Sequence, residues 1–63
     1  MRRICAARLR AGHVLHNGTL APLHVIETGT SSLGSIVLRC AYSPDGYPAT
    51  TLLLPPGELV PVL

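Results

Sequence analysis

Lysine, phenylalanine and tryptophan do not occur in this 63-residue chain, tyrosine occurs twice, and only Glu27, Asp45 and Glu58 are acidic. Each shortage excludes something. Without Phe or Trp, the interior of any fold must be aliphatic, built mainly from Leu, Val and Ile. Polyproline recognition requires an aromatic-lined groove, and single-stranded bases need aromatic platforms. Tyr42 and Tyr47, flanking one turn, are too few for either and are expected to pack at the end of the fold. Three carboxylates, two of them in turn sequences, leave little for paired acid and base chemistry. No motif gathers a Ser, a His and an acid into a nucleophilic triad. A domain of this size also lacks the volume for a water-excluding pocket of ~300 Å³. The expectation is a non-catalytic protein with no small-molecule substrate.

Longer patterns are missing too. No run approaches the ~18 apolar residues that cross a bilayer as a helix, and Arg8 and Arg10 interrupt any signal-type apolar segment after the charged start. Cys5 and Cys40 lack C-x-x-C spacing, and with no sign of export they are expected to be reduced, the protein being cytoplasmic and not membrane-bound. Asn17-Gly18-Thr19 then reads as a turn and not as a glycosylation site. His13, His16 and His24 invite a zinc reading with a cysteine. However, His13 and His16 are three apart and fall on opposite faces of one strand, and His16 with His24 makes only two ligands. No metal or cofactor is expected.

What is present is an excess of oily surface. Hydrophobic residues make up 48% of the chain and charged residues 13%, about half the usual charged share. A domain this small buries only about 60% of the surface its unfolded chain exposes. Part of the apolar surplus is therefore expected to face a protein partner, most simply a second copy of the chain. All five basic residues are Arg. With the abundant Ala, Gly, Pro, Leu and Val, that is the mark of a GC-rich genome such as that of an actinobacterium or its phage, and a bacterial or phage accessory protein fits it.

Net charge is +2, unevenly spread. Residues 1–26 carry Arg2, Arg3, Arg8 and Arg10 with no acid, a charge of +4. Residues 27–63 carry Arg39 against three acids, a charge of −2. A basic amino-terminal stretch is either a solvated, solubilising terminus or a phosphate-binding arm.

Strand signals dominate the order of the chain. Ser35–Tyr42 is rich in residues that suit a pleated, buried surface, and neither Gly nor Pro interrupts it. At period two, Ile36, Leu38, Cys40 and Tyr42 face the core, and Val37, Arg39 and Ala41 face the other way. Arg2–Ala7 reads as a short helix or a strand, the strand favoured because the next turn feeds a hairpin, with residues 1–8 a basic arm or an edge strand. Gly12 bends the chain into a strand starting at His13, and Asn17-Gly18 reads as a hairpin turn because both residues tolerate positive φ. Leu23–Thr28 is the return strand, and Gly29–Gly34 a flexible, disordered tip. Ser43-Pro44-Asp45-Gly46 fits a type I turn, and Tyr47–Leu54 the next strand. Leu54-Pro55-Pro56-Gly57-Glu58 breaks that strand in a tight 3₁₀ turn. Leu59–Leu63 is the last strand, placed on an edge by Pro61.

A four-strand meander, a 3₁₀ break and a short final strand resemble the SH3-like small β-barrel over roughly residues 9–63. The segment Leu9-x-x-Gly12-His13-Val14 is similar to the Leu-x-x-Gly-Asp-hydrophobic entry of several small barrels, with His13 where those carry an Asp acceptor. An OB-like or PRC-like barrel is the alternative. The implied fold is all-β: one small SH3-like barrel over 1–63, of about five antiparallel strands. Resemblance at this level carries no activity.

The candidate surface follows from Leu52-Leu53-Leu54. Three successive leucines in a strand imply that both faces are covered. Leu33, Val37, Leu53 and Leu63 are expected to form one apolar patch, rimmed by Arg8, Arg10 and Arg39, for self-association or for docking on a protein. The alternative is a small nucleic-acid-binding barrel that uses Arg2, Arg3, Arg8 and Arg10.

Overall fold

A computed structural model describes residues 2–63. It is all-β: an antiparallel sheet of six strands in the order β1-β6-β2-β3-β4-β5, curled into a half-barrel. The strands are β1 (Arg2–Cys5), β2 (Val14–Leu15), β3 (Leu23–Thr30), β4 (Ile36–Ala41), β5 (Thr50–Leu54) and β6 (Leu59–Val62). The stretch read as an arm or an edge strand is an edge strand. Arg2–Cys5 pairs along its whole length with Leu59–Val62, which raises the strand number from five to six.

The concave face holds the core. Leu15, Leu23, Val25, Leu38, Cys40, Val60 and Val62 are buried there, with Ile4, Ile36, Leu52 and Leu54 packed against them. The single 3₁₀ helix among the described residues, Ala6–Arg8, follows β1, and the Leu9 N–H donates to the Ala6 carbonyl at 3.1 Å. A spacing of three brings Ala6 and Leu9 to one side of that turn, and both are buried in the core. The Pro55–Glu58 break is instead one tight turn, closed by the Glu58 N–H on the Pro55 carbonyl at 3.1 Å.

Pro61 does not mark an edge. β6 lies inside the sheet, between β1 and β2. The proline is tolerated because β2 is only two residues long. At its end the His16 N–H donates to the Pro61 carbonyl at 3.0 Å, so the missing amide of Pro61 costs one ladder bond where pairing is already ending. The two edges are β1 and β5.

β3 is longer than the alternation suggested and carries a bulge. Val25 pairs with Cys40, yet Glu27 pairs with Arg39, which leaves Ile26 as the extra residue and reverses the phase of β3 beyond it. Gly29 and Thr30 continue the strand. The Ser31–Ser35 tip is a closed turn, not a disordered one. Ser31 Oγ accepts from the Leu33 and Ser35 N–H groups at 3.3 and 3.1 Å, and the Gly34 N–H donates to the Ser31 carbonyl.

The Asn17-Gly18 turn exists, but only Gly18 of the pair adopts positive φ; among the described residues, no residue other than glycine does so. The turn sits inside a longer loop and is closed by the Leu20 N–H on the Asn17 carbonyl. Ser43–Gly46 forms the expected turn, with the Gly46 N–H on the Ser43 carbonyl at 3.1 Å. It folds back so that Gly46 lies against Ala41. Ala41, which the strand pattern left half covered, is fully buried. Tyr42 falls beyond β4 and is exposed, and Tyr47 is 94% exposed, so neither tyrosine packs into the end of the barrel. β5 correspondingly starts at Thr50 and not at Tyr47.

Candidate functional site

Two surfaces carry the residues singled out from the sequence, and they lie at opposite edges of the sheet. The first is the convex face of β3, β4 and β5. Strand register places Gly29, Val37 and Leu53 in one transverse row and Glu27, Arg39 and Thr51 in the next. Leu53 is 66% exposed, while Leu52 and Leu54 on the concave side are half-buried. One chain thus does not cover both faces of the leucine triplet. Leu53 stands directly beside Val37, and Leu33, 93% exposed, occupies the turn at the same end of β4. Because Gly29 has no side chain, a hollow of about 240 Å³ opens beside Val37, Glu27 and Arg39.

Leu63 does not join this patch. Its N–H donates to the Val14 carbonyl, and Val14 pairs with His24, which pairs with Ala41. Leu63 is therefore level with Ala41, four residues along β4 from Val37, or about 13 Å at ~3.3 Å per residue. β2 and β3 also intervene between their strands. Arg8 and Arg10 are engaged elsewhere: Arg8 lines a concavity beside β1, and the Arg10 guanidinium donates to the Leu9 and Ala7 carbonyls. Arg39 is beside it, but its guanidinium lies 3.6 Å from the Glu27 carboxylate, and so it is not a free cation.

β5 leaves one side of its backbone unpaired, as does β1. The two edges differ in what guards them. β1 carries Arg2 and Arg3. β5, Thr-Thr-Leu-Leu-Leu, carries no charge, no proline and no bulge.

The second surface is an open concavity of about 440 Å³ beside β1, lined by Arg2, Arg3, Ile4, Cys5, Arg8, His13 and Leu59. Successive residues of an extended strand point to opposite sides, so Arg2 and Arg3 straddle the β1 edge. Arg8 is delivered by the 3₁₀ turn. That turn is pinned by the Ala6 and Ala7 N–H groups on the Glu58 and Pro56 carbonyls at 2.8 and 3.1 Å. His13 Nδ1 lies 2.9 Å from the Arg10 backbone nitrogen and 3.2 Å from the Arg10 carbonyl oxygen, so this ring nitrogen is engaged by the backbone of residue 10. Arg10 is turned elsewhere, and its guanidinium donates to the Leu9 and Ala7 carbonyls at 2.8 and 3.2 Å. No carboxylate lines the concavity. Glu58 precedes the lining residue Leu59 but makes no ion pair with a described arginine, Arg39–Glu27 being the one such pair among the described residues.

Three of the four amino-terminal arginines thus line one surface and the fourth does not. Sequence reasoning missed His13 and Leu59 as their neighbours. The β1–β6 register sets Cys5 opposite Leu59, and the Val25 N–H on the His13 carbonyl holds His13 against β3; no local pattern encodes either. Elsewhere, His16 Nδ1 accepts the Gly18 N–H at 3.4 Å and His24 lines a separate hollow with Pro44. Among the described residues, no three His, Cys, Asp or Glu side chains gather closely enough to hold a metal. Cys5 and Cys40 are free thiols, and burial in the core pushes the Cys40 thiol pKa up. No helix among the described residues is long and apolar enough to cross a membrane.

Comparison with protein-family models, with curated proteins and with solved structures finds no match to this chain.

Proposed function

We propose that this protein is a non-catalytic interaction module that self-associates through the free edge of β5. The observation carrying this reading is the contrast between the two sheet edges. Natural sheets protect exposed edges with charge, proline or bulges, because bare backbone donors and acceptors recruit other strands. β1 has such protection in Arg2 and Arg3, and β5 has none. Antiparallel pairing of β5 with a second copy, centred on Leu52, sets each Thr51 opposite a Leu53 and each Thr50 opposite a Leu54. Such an interface is self-complementary about a two-fold axis, as closed dimers require. It continues the sheet across the axis and covers the half-buried Leu52 and Leu54.

The non-catalytic part of the proposal is supported by the residue supply: three carboxylates, and no motif that gathers a nucleophile, a base and an acid. The SH3-like part of the proposal is supported by β2, β3, β4 and β5 running as a meander, after which a tight turn brings β6 back to pair with β2 through Leu15 and Val62.

Light scattering across a concentration series tests the proposal. The wild type is expected to move from monomer to dimer. The double variant Thr51→Lys, Leu53→Lys, which gives β5 the protection β1 already has, is expected to weaken the dimer at least tenfold, or ~1.4 kcal/mol. A wild type that stays monomeric at millimolar concentration overturns the reading, and so does a dimer indifferent to the two lysines.

A further inference from the structure

We propose that the concavity beside β1 binds phosphate groups, and that its ligand is the phosphodiester backbone of a nucleic acid, held without regard to sequence. The lining carries this. Arg2, Arg3 and Arg8 come from two different elements yet line one open surface of about 440 Å³, into which no carboxylate projects. His13 stands among them, its Nδ1 held against the Arg10 backbone at 2.9 and 3.2 Å. Guanidinium groups are donors only, and phosphate oxygens are acceptors only.

The spread of the charges selects the kind of phosphate. Arg2 and Arg3 project to opposite sides of an exposed strand, and Arg8 lies past its end, so the donors follow an edge and do not close on one point. A chain of phosphates suits that line better than a compact anion. The lining holds neither tyrosine: Tyr42 and Tyr47 lie beyond β4, four strands away in the sheet. Contacts to phosphate carry no sequence information, so binding through these arginines is indifferent to sequence. This site is independent of the β5 edge, from which four strands separate β1.

The test is binding of a short mixed-sequence DNA duplex across a range of salt, alongside inorganic triphosphate as the free-anion probe. Three arginines, each neutralising one phosphate at ~0.9 per contact, predict a slope of log affinity against log salt of about −2.7. Arg3→Ala is expected to reduce that slope by ~0.9, and the triple variant Arg2→Ala, Arg3→Ala, Arg8→Ala to abolish binding. Arg10→Ala removes the same charge outside the concavity, keeps the backbone that His13 Nδ1 contacts, and is expected to leave the slope unchanged. A second duplex of different sequence is expected to bind equally. Three results overturn the proposal: no duplex binding at low salt, an Arg10→Ala loss equal to that of Arg3→Ala, or triphosphate binding without duplex binding.

Discussion

The Glu27 carboxylate reaches the Arg39 guanidinium at 3.6 Å because β3 takes in one extra residue just before it. Val25 is level with Cys40, and unbroken alternation would have set Ile26 opposite Arg39 and Glu27 opposite Leu38, facing the core. The bulge at Ile26 instead sends Glu27 to the convex face and leaves Thr28 beside Leu38. A carboxylate is thereby kept out of an aliphatic interior that has nothing to pair with it.

Both partners of that pair are more than half exposed, so the attraction is weak and screened by salt. Glu27→Gln is expected to cost no more than ~1 kcal/mol in urea unfolding at low salt, and nothing measurable in molar salt. A loss of several kcal/mol that survives high salt would assign Glu27 a structural role beyond the ion pair.

Leu38 and Leu53 sit one residue apart in facing strands and on opposite faces of the sheet. Leu38 is fully buried and Leu53 mostly exposed. Leu38→Ala is expected to cost ~2–5 kcal/mol. That is a large part of the ~3–9 kcal/mol available to a domain of this length, so the variant is expected to be largely unfolded by circular dichroism. Leu53→Ala, measured at monomer concentrations, is expected to shift stability by less than ~0.5 kcal/mol.

Gly34 has φ of +87° where the Ser31–Ser35 turn enters β4, whereas Gly57 is not in the left-handed region and has open space around it. Gly34→Ala is expected to lose ~1–2 kcal/mol through backbone strain. Gly57→Ala is expected to be neutral, or to gain a few tenths through the unfolded chain. Thermal unfolding of the two variants side by side checks the contrast.

The two thiols are expected to differ in reactivity. Cys5 lines an open concavity, while Cys40 is fully buried with its pKa raised by desolvation. A thiol reagent at neutral pH is expected to modify Cys5 in the folded protein and Cys40 only as fast as the protein opens. The raised folded pKa also sets a sign. Stability from the protonated Cys40 is fully present below the unfolded value of ~8.5 and declines as pH rises from there through the folded value. Cys40→Ala is expected to be less stable throughout but to lose less between neutral and alkaline pH. An unchanged pH slope would overturn that account.

Much of this architecture was legible in local pattern. The alternation in Ile36–Ala41, the Pro and Gly of Ser43–Gly46 and the Pro-Pro-Gly break before Leu59 all act within a few residues, where side-chain chemistry alone selects strand or turn. The exposed Leu53 beside Val37 also follows from period two once β4 and β5 pair. Local pattern failed at Pro61, which marks an edge only if its neighbouring strand is long enough to need the missing amide. It failed again at Tyr42, because β4 ends where the Gly46 turn folds back on Ala41.

Composition and periodicity by themselves determined that this chain is a small, aliphatic, antiparallel β protein with more apolar surface than it buries. Those properties depend on residue type and spacing, which no partner strand alters. Tertiary structure alone decided that β1 closes onto β6, which gathers Arg2, Arg3 and Arg8 with His13 and turns Arg10 away, and that β5 is left as the unguarded edge. Both outcomes are matters of register and strand order. They are settled by which distant segments meet, and nothing in either segment records the other.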